Sequence, residues 1–169
     1  MSFPLTTRFG ADPLLDLEIA NKQYVDASGG AWTFVFKTAD ETRTSDTTLS
    51  DDTELFFPVV VDGVYYAWFF LEILNDAAAD IKLNMTQPTN CAGQRLNATW
   101  GSQVLIDGED ITVQRAMATA TGIKFVVWPM IIKVGDTAGN IQLQWAQNTA
   151  SPNVETINRG SYIAFSKLN

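Results

Sequence analysis

From residue 31 onward the apolar positions of this chain recur every second residue, the period of a β-strand whose side chains alternate between two faces. Residues 31–37 (AWTFVFK) form the first such stretch and residues 54–61 (ELFFPVVV) the next. Pro58 has no N–H to give a sheet, which predicts an edge strand or a bulge there. Residues 64–75 (VYYAWFFLEILN) are apolar at nearly every position, so a central strand covered on both faces is expected. Asp62-Gly63, between those two stretches, suits a tight hairpin turn. Residues 80–86 alternate cleanly, with Ile81, Leu83 and Met85 facing one way and Lys82 and Asn84 the other, so one face of that strand is wet. Residues 110–121 and 123–134 are expected to pair about Gly122. Residues 140–148 (NIQLQWAQN) alternate again, and residues 161–168 (SYIAFSKL) close the chain as a strand. The polar run 38–52 connects strands, with Thr47, Thr48 and Leu49 offering a brief pairing at an edge.

Before residue 31 the period changes. Asp12-Pro13 or Asp16-Leu17 can start a helix, because Asp accepts from the first free N–H groups and Pro suits the first turn. Leu17, Ala20 and Tyr24 then fall on one side of a short helix that needs a partner surface. Ser28-Gly29-Gly30 is a flexible joint. The chain therefore divides into an N-terminal arm, residues 1–30, and a β body, residues 31–169. Eight or more strands at this spacing, with no fixed repeat, predict an all-β fold, a jelly-roll-like β-sandwich behind a short arm or helix.

Composition narrows what such a body does. Its 169 residues suffice for one domain with one core. Only 18% are charged, against the roughly one quarter usual for a soluble domain, which leaves much uncharged surface and suits an oligomer. The net charge is -8 and basic residues are scattered, so nucleic acid is not an expected partner. The chain contains no histidine, which removes Ser-His-Asp and Cys-His chemistry and every imidazole metal motif. The single cysteine, Cys91, has no intrachain disulfide partner. Apolar runs are too short to span a membrane, and the first residues do not read as a secretory signal, so synthesis and assembly in a cytoplasm are expected. No cofactor is expected.

Three stretches carry a resemblance. In the arm, Ala20-Asn21-Lys22-Gln23-Tyr24-Val25-Asp26 resembles the A-N-K-x-Y-V-D element of tail-fibre and other virion proteins of tailed phages. Residues Lys37-Thr38-Ala39-Asp40-Glu41-Thr42-Arg43, followed by Thr48-Leu49 and Asp51-Asp52, are similar to the K-x-x-D-E-T-R…T-L-x-x-D stretch of small phage virion β domains. Gln142-Leu143-Gln144-Trp145-Ala146-Gln147 and then Arg159-Gly160-Ser161-Tyr162 match the closing pattern of the same group. The resemblance implies a jelly-roll-like homotrimer with a structural, non-enzymatic role in the virion. A capsid decoration (cement) protein bound to the major capsid protein or another virion protein leads. A head-fibre or tail-fibre tip recognising host glycans is the alternative. A fibre carries a long shaft before its tip, and the short arm here favours a compact trimer on a capsid surface, though the same brevity suits a separately encoded tip.

The resemblance also marks contact residues. Leu17, Ala20, Asn21, Lys22, Tyr24, Val25 and Asp26 are expected to attach the arm to the virion. Buried between subunits, Leu17, Tyr24 or Trp145 would each yield on the order of 2 kcal/mol. Asp40, Glu41 and Arg43 place carboxylates beside a guanidinium, which either fixes subunit orientation through bidentate hydrogen bonds or stands as an exposed ion pair of little worth. The acidic loops Asp51, Asp52, Glu54 and Asp107, Glu109, Asp110 read as calcium ligands, as a glycosidase pair or as solvated turns, and neither has the spacing of a calcium-loop motif. Of the five tryptophans, Trp32, Trp68, Trp128 and Trp145 lie in strand runs and read as core or subunit contacts, whereas Trp100 beside Gly101 reads as exposed. The acceptor patterns at Asn84 and Asn97 are incidental without a secretory signal.

Overall fold

The structure, a computed structural model, describes residues 31–96, 99–100, 103–104, 109–117 and 120–169. The arm, with its expected helix, attachment residues and glycine joint, lies outside the described residues, as does Asp107. The described residues form fourteen strands and no helix. The strands are β1 (Thr33–Phe36), β2 (Glu41–Arg43), β3 (Ser50–Val59), β4 (Val64–Asn75), β5 (Ile81–Thr86), β6 (Ala92–Arg95) and β7 (Thr99–Trp100). They continue as β8 (Gln103–Val104), β9 (Glu109–Asp110), β10 (Arg115–Met117), β11 (Gly122–Lys133), β12 (Gly139–Gln147), β13 (Glu155–Ile157) and β14 (Tyr162–Lys167).

These strands make two antiparallel sheets stacked as a β-sandwich. The larger, ten-stranded sheet runs β1-β14-β4-β11-β6-β9, with β13 joining β2 to β4 and β7 joining β8 to β11. The four-stranded sheet runs β10-β5-β12-β3. Alternation decides what each strand buries. In the larger sheet Tyr65, Ala67, Phe69, Leu71 and Ile73 of β4 and Val126, Trp128, Met130 and Ile132 of β11 point inward. They meet Leu55, Phe57 and Val59 of β3, Ile81, Leu83 and Met85 of β5, and Ile141, Leu143 and Trp145 of β12 in one core. Each such buried aliphatic or aromatic side chain stabilises the fold by about 1.5–3 kcal/mol relative to exposure.

The expected wet face of β5 is present, with buried and half-buried positions alternating along the strand. Pro58 does sit on an edge strand, since β3 ends the smaller sheet, and a register irregularity falls in the β12 pairing between Gln142 and Gln144. Other expectations are corrected. Asp62-Gly63 does not close a hairpin: β3 and β4 belong to different sheets, and the turn carries the chain across the sandwich. Its local chemistry is that of a tight turn, with Asp62 at φ 57° and the Gly63 amide donating to the Val60 carbonyl at 3.1 Å. Likewise Gly122 is not the middle of a pair. It opens β11 at φ 126°, a conformation suited to glycine, while β10 pairs with β5 on the opposite sheet. Residues 47–49 form no strand, and Glu41–Arg43 pairs instead, with β13. Finally, β4 is central but is covered on its inner face only: Tyr66, Trp68, Phe70 and Glu72 remain half-buried and Leu74 exposed.

Candidate functional site

The D-E-T-R stretch builds an internal ionic staple. Lys37, just past β1, has a fully buried side chain whose Nζ donates to both Asp52 carboxylate oxygens at 2.9 Å and to Glu41 Oε2 at 3.0 Å. Asp52 Oδ1 also accepts from the backbone amides of Glu54, at 3.0 Å, and Leu55, at 2.9 Å. Burial by itself would lower the Lys37 ammonium, but its hydrogen bonds to Asp52 and Glu41 outweigh that and raise it. Burial would likewise raise the Glu41 carboxyl. The Thr53 amide, Lys37, Arg43 and the Thr53 hydroxyl overcome it and hold the group at about 2.

Arg43 completes the staple. Its Nη2 donates to Glu41 Oε1 at 3.1 Å, and its Nη1 donates to the Ser50 hydroxyl and the Trp145 carbonyl. The guanidinium carbon lies 4.2 Å from the Trp145 ring centroid, a cation–π contact. The Glu41–Arg43 pair, expected to orient subunits or to stand in solvent, is thus occupied inside its own chain. Trp145, expected in the core or at a subunit contact, is fully buried in the core. Asp40 accepts from the Arg159 backbone amide at 2.7 Å, which fixes the loop before β14.

Three further acids of the acidic loops are engaged locally. Asp51 accepts from Gln144 Nε2 at 2.8 Å, Glu54 from the backbone of Thr38 and Ala39, and Asp110 from Thr112. Among the described residues no three His, Cys, Asp or Glu side chains gather in a way that could hold a metal ion. Among the described residues Glu155 is the carboxyl with a raised value: burial, reinforced by the charges of Asp76 and Asp80, pushes it up to about 7 against the pull of the Asp76 amide, which donates to it at 2.7 Å. It lines neither hollow of the outer face described next. The Cys91 thiol is pushed up to about 11 by burial and by Asp110, so it is a poor nucleophile.

The outward face of the larger sheet is where unassigned side chains collect. Register places them in rows across β1, β14, β4 and β11. One row is Phe36, Tyr162, Phe70 and Val127, and the next is Phe34, Ala164, Trp68 and Pro129. A third brings Ser166, Tyr66 and Ile131 into line, and Trp32 stands edge-on to Tyr66 with centroids 5.8 Å apart. The rings touch in an unbroken series: Phe36 to Tyr162 at 5.5 Å, Tyr162 to Phe70 at 4.5 Å, Phe70 to Trp68 at 5.6 Å and Trp68 to Tyr66 at 5.8 Å. Stacked and edge-on pairs of this kind are each worth about 0.5–1.5 kcal/mol beyond area burial, so the face is a rigid wall.

That wall is left open. Trp32 is 45% exposed, Phe34 52%, Phe36 57% and Phe125, on β11, 66%. A groove of about 290 Å³ runs between Trp32, Phe34, Trp68, Phe70, Tyr162 and Ala164. A second hollow of about 160 Å³ lies beside Phe125, bounded by Phe70, Glu72, Val127 and Tyr162. No charged side chain stands in the three rows; Glu72 and Lys133 mark the two ends. The outside of the smaller sheet is the opposite in character, presenting Lys82, Asn84 and Thr86 from β5 and Asn140, Gln142 and Gln144 from β12. Nothing in the alternation of the sequence marks Phe34, Phe36, Tyr66, Phe70, Phe125 or Tyr162 as contact residues. The available signal was Trp32, Phe34 and Phe36 at one phase of a short strand. Comparison of the chain with protein-family models, curated proteins and solved structures finds no match.

Proposed function

We propose that this chain is a structural protein of a tailed-phage virion: a homotrimeric capsid decoration protein that binds the shell and stabilises it. The single observation that carries this reading is the open aromatic wall, beside a body in which Lys37, Glu41, Arg43 and Asp52 are engaged in holding its own fold together. A rigid, uncharged surface of this size does the work of contact. The strand order adds support. Taken in chain order, β1, β3, β4, β5, β10, β11, β12 and β14 fall as β1-β14-β4-β11 in one sheet and β3-β12-β5-β10 in the other, the arrangement of a jelly roll. Lys37, Glu41, Arg43 and Asp52 of the virion-like K-x-x-D-E-T-R…D stretch act together as one staple, so the resemblance rests in part on residues this fold uses.

In this reading residues 1–30 attach the body to the major capsid protein or a neighbouring virion protein, and three linked arms gain avidity over one. Binding only to the assembled shell stabilises it by mass action. No reaction, cofactor or nucleic acid is assigned. The glycan-binding alternative receives less support, because a saccharide site needs convergent polar groups around its stacking ring and the groove is lined almost wholly by hydrocarbon. The test is a count on purified particles of the encoding phage. The expected result is a copy number in the range of the major capsid protein, with the protein rebinding to particles stripped of it. A few copies confined to the tail, or none, overturns the proposal.

A further inference from the structure

We propose that the aromatic wall is the surface through which this chain contacts a second copy of itself, with Phe125 of one copy seated in the Trp32–Phe34–Trp68–Phe70–Tyr162 groove of the next. The inference rests on the contact-protein reading above and specifies the surface that makes the contact.

Three observations select a second copy as the occupant. The first is area. At about 200 Å² per aromatic side chain, the exposed fractions of Trp32, Phe34, Phe36 and Phe125 leave roughly 450 Å² of ring surface open. Exposed Ile123, Ile131 and Leu74, with half-buried Tyr66, Trp68, Phe70 and Tyr162, bring the wall toward the about 800 Å² that a standard interface takes from each partner.

Charge is the second. Two copies of a chain with net charge -8 repel one another over most approaches. The three rows hold no Asp, Glu, Lys or Arg, and the one carboxylate in the row of Phe125, Glu72, accepts from Asn158 of its own chain at 3.0 Å, so copies meeting across the three rows bring no like charges together there.

Relief is the third. The wall pairs a projection with a hollow on one surface: Phe125 is its most exposed large apolar residue, and the groove opens on the other side of β4 from the β11 strand that carries it. Phe125 sits opposite Glu72 in the β4–β11 register, one row beyond Phe70, and does not line the groove of its own chain. A buried aromatic in a desolvated pocket is the usual form of an interface hot spot.

The test uses the full-length chain, with mass followed by light scattering over a dilution series. Wild type is expected as an oligomer. Phe125→Lys and Phe34→Lys are each expected to raise the dissociation constant on the order of a hundredfold. Both positions are more than half exposed in the single chain, so the far-ultraviolet circular dichroism of each variant should match wild type. Val60→Lys and Val61→Lys, at apolar positions of similar exposure in the turn after β3, should leave the mass unchanged. Combining Phe34→Glu with Phe125→Lys in one chain should restore association if the two side chains meet. A threefold mass that ignores both wall variants overturns this inference and leaves the trimer standing. Dissociation by the variants from a dimer upholds the wall and overturns the trimer. A wild-type monomer at every concentration overturns the wall as a self-contact and assigns its cover to residues 1–30 or to a foreign protein.

Discussion

Replacing Lys37 by methionine keeps the length and most of the apolar stem of the side chain and deletes only the ammonium. In the native chain that ammonium has no exposed surface and lies 2.9 Å from each oxygen of an equally buried Asp52, with Glu41 at 3.0 Å. Lys37→Met therefore leaves one wholly buried carboxylate and one largely buried carboxylate without their shared cation. Breaking a buried pair by removing one partner costs about 3–5 kcal/mol, because the surviving charge is stranded. For a chain of this length that lowers Tm by roughly 6–20 °C, at about 2–4 °C per kcal/mol.

The assay is denaturant unfolding at fixed protein concentration, run as a double-mutant cycle with Asp52→Asn. Asparagine keeps an oxygen for the amides of Glu54 and Leu55 while removing the charge. The double variant should recover a good part of the loss, since neither partner is then stranded. The pH dependence has a fixed sign. Glu41 sits at about 2 when folded and near 4.5 when unfolded, so its contribution is complete above the unfolded value and is lost as pH falls from about 4.5 to about 2. Lys37, whose folded value is raised, contributes fully below its unfolded value and loses that contribution only as pH climbs through the folded one. A cost below about 1 kcal/mol for Lys37→Met, the range of exposed pairs, or strict additivity in the cycle, would refute the reasoning.

Two further outcomes follow from single sites. Glu155 is held at about 7 when folded, so between about 4.5 and about 7 the folded chain binds more protons than the unfolded one and stability falls as pH rises. Glu155→Gln should flatten that slope and gain up to about 3 kcal/mol above pH 7; an unchanged slope in pH-resolved unfolding removes Glu155 as its source. Gly135→Ala should cost about 1–3 kcal/mol, because the new Cβ would lie 2.3 Å from the Asn90 carbonyl oxygen, a backbone atom that moves only with its loop. Unaltered thermal unfolding of that variant would show that the Asn90 turn yields.

Where one phase of a strand is apolar and the other polar, as in Ile81, Leu83 and Met85 against Lys82 and Asn84, the amino-acid pattern fixes the element and its buried face together. Along β4 both phases are apolar, and alternation cannot say whether Tyr66, Trp68 and Phe70 are covered by this chain or by another. Turn residues have a similar limit. Asp62-Gly63 specifies a chain reversal through its backbone preferences, yet nothing in it says whether the next strand returns beside the last or on the facing sheet. The D-E-T-R stretch was legible as an ion-pair motif. Its burial was not, because that depends on Ser50 and Trp145, 7 and 102 positions away from Arg43. Trp145 itself reads as apolar strand in either setting, and only the stacking of the sheets places it inside.

The strand nearest the start of the body and the strand nearest its end are neighbours, with Thr33 against Phe165 and Phe36 against Tyr162. Tyr162 is also the ring that bridges Phe36 to Phe70. During translation the Trp32–Phe36 segment emerges more than a hundred residues before the strand that supports it. The aromatic series from Phe36 through Tyr162 to Phe70 is therefore closed only once β14 has been made, whatever later covers it.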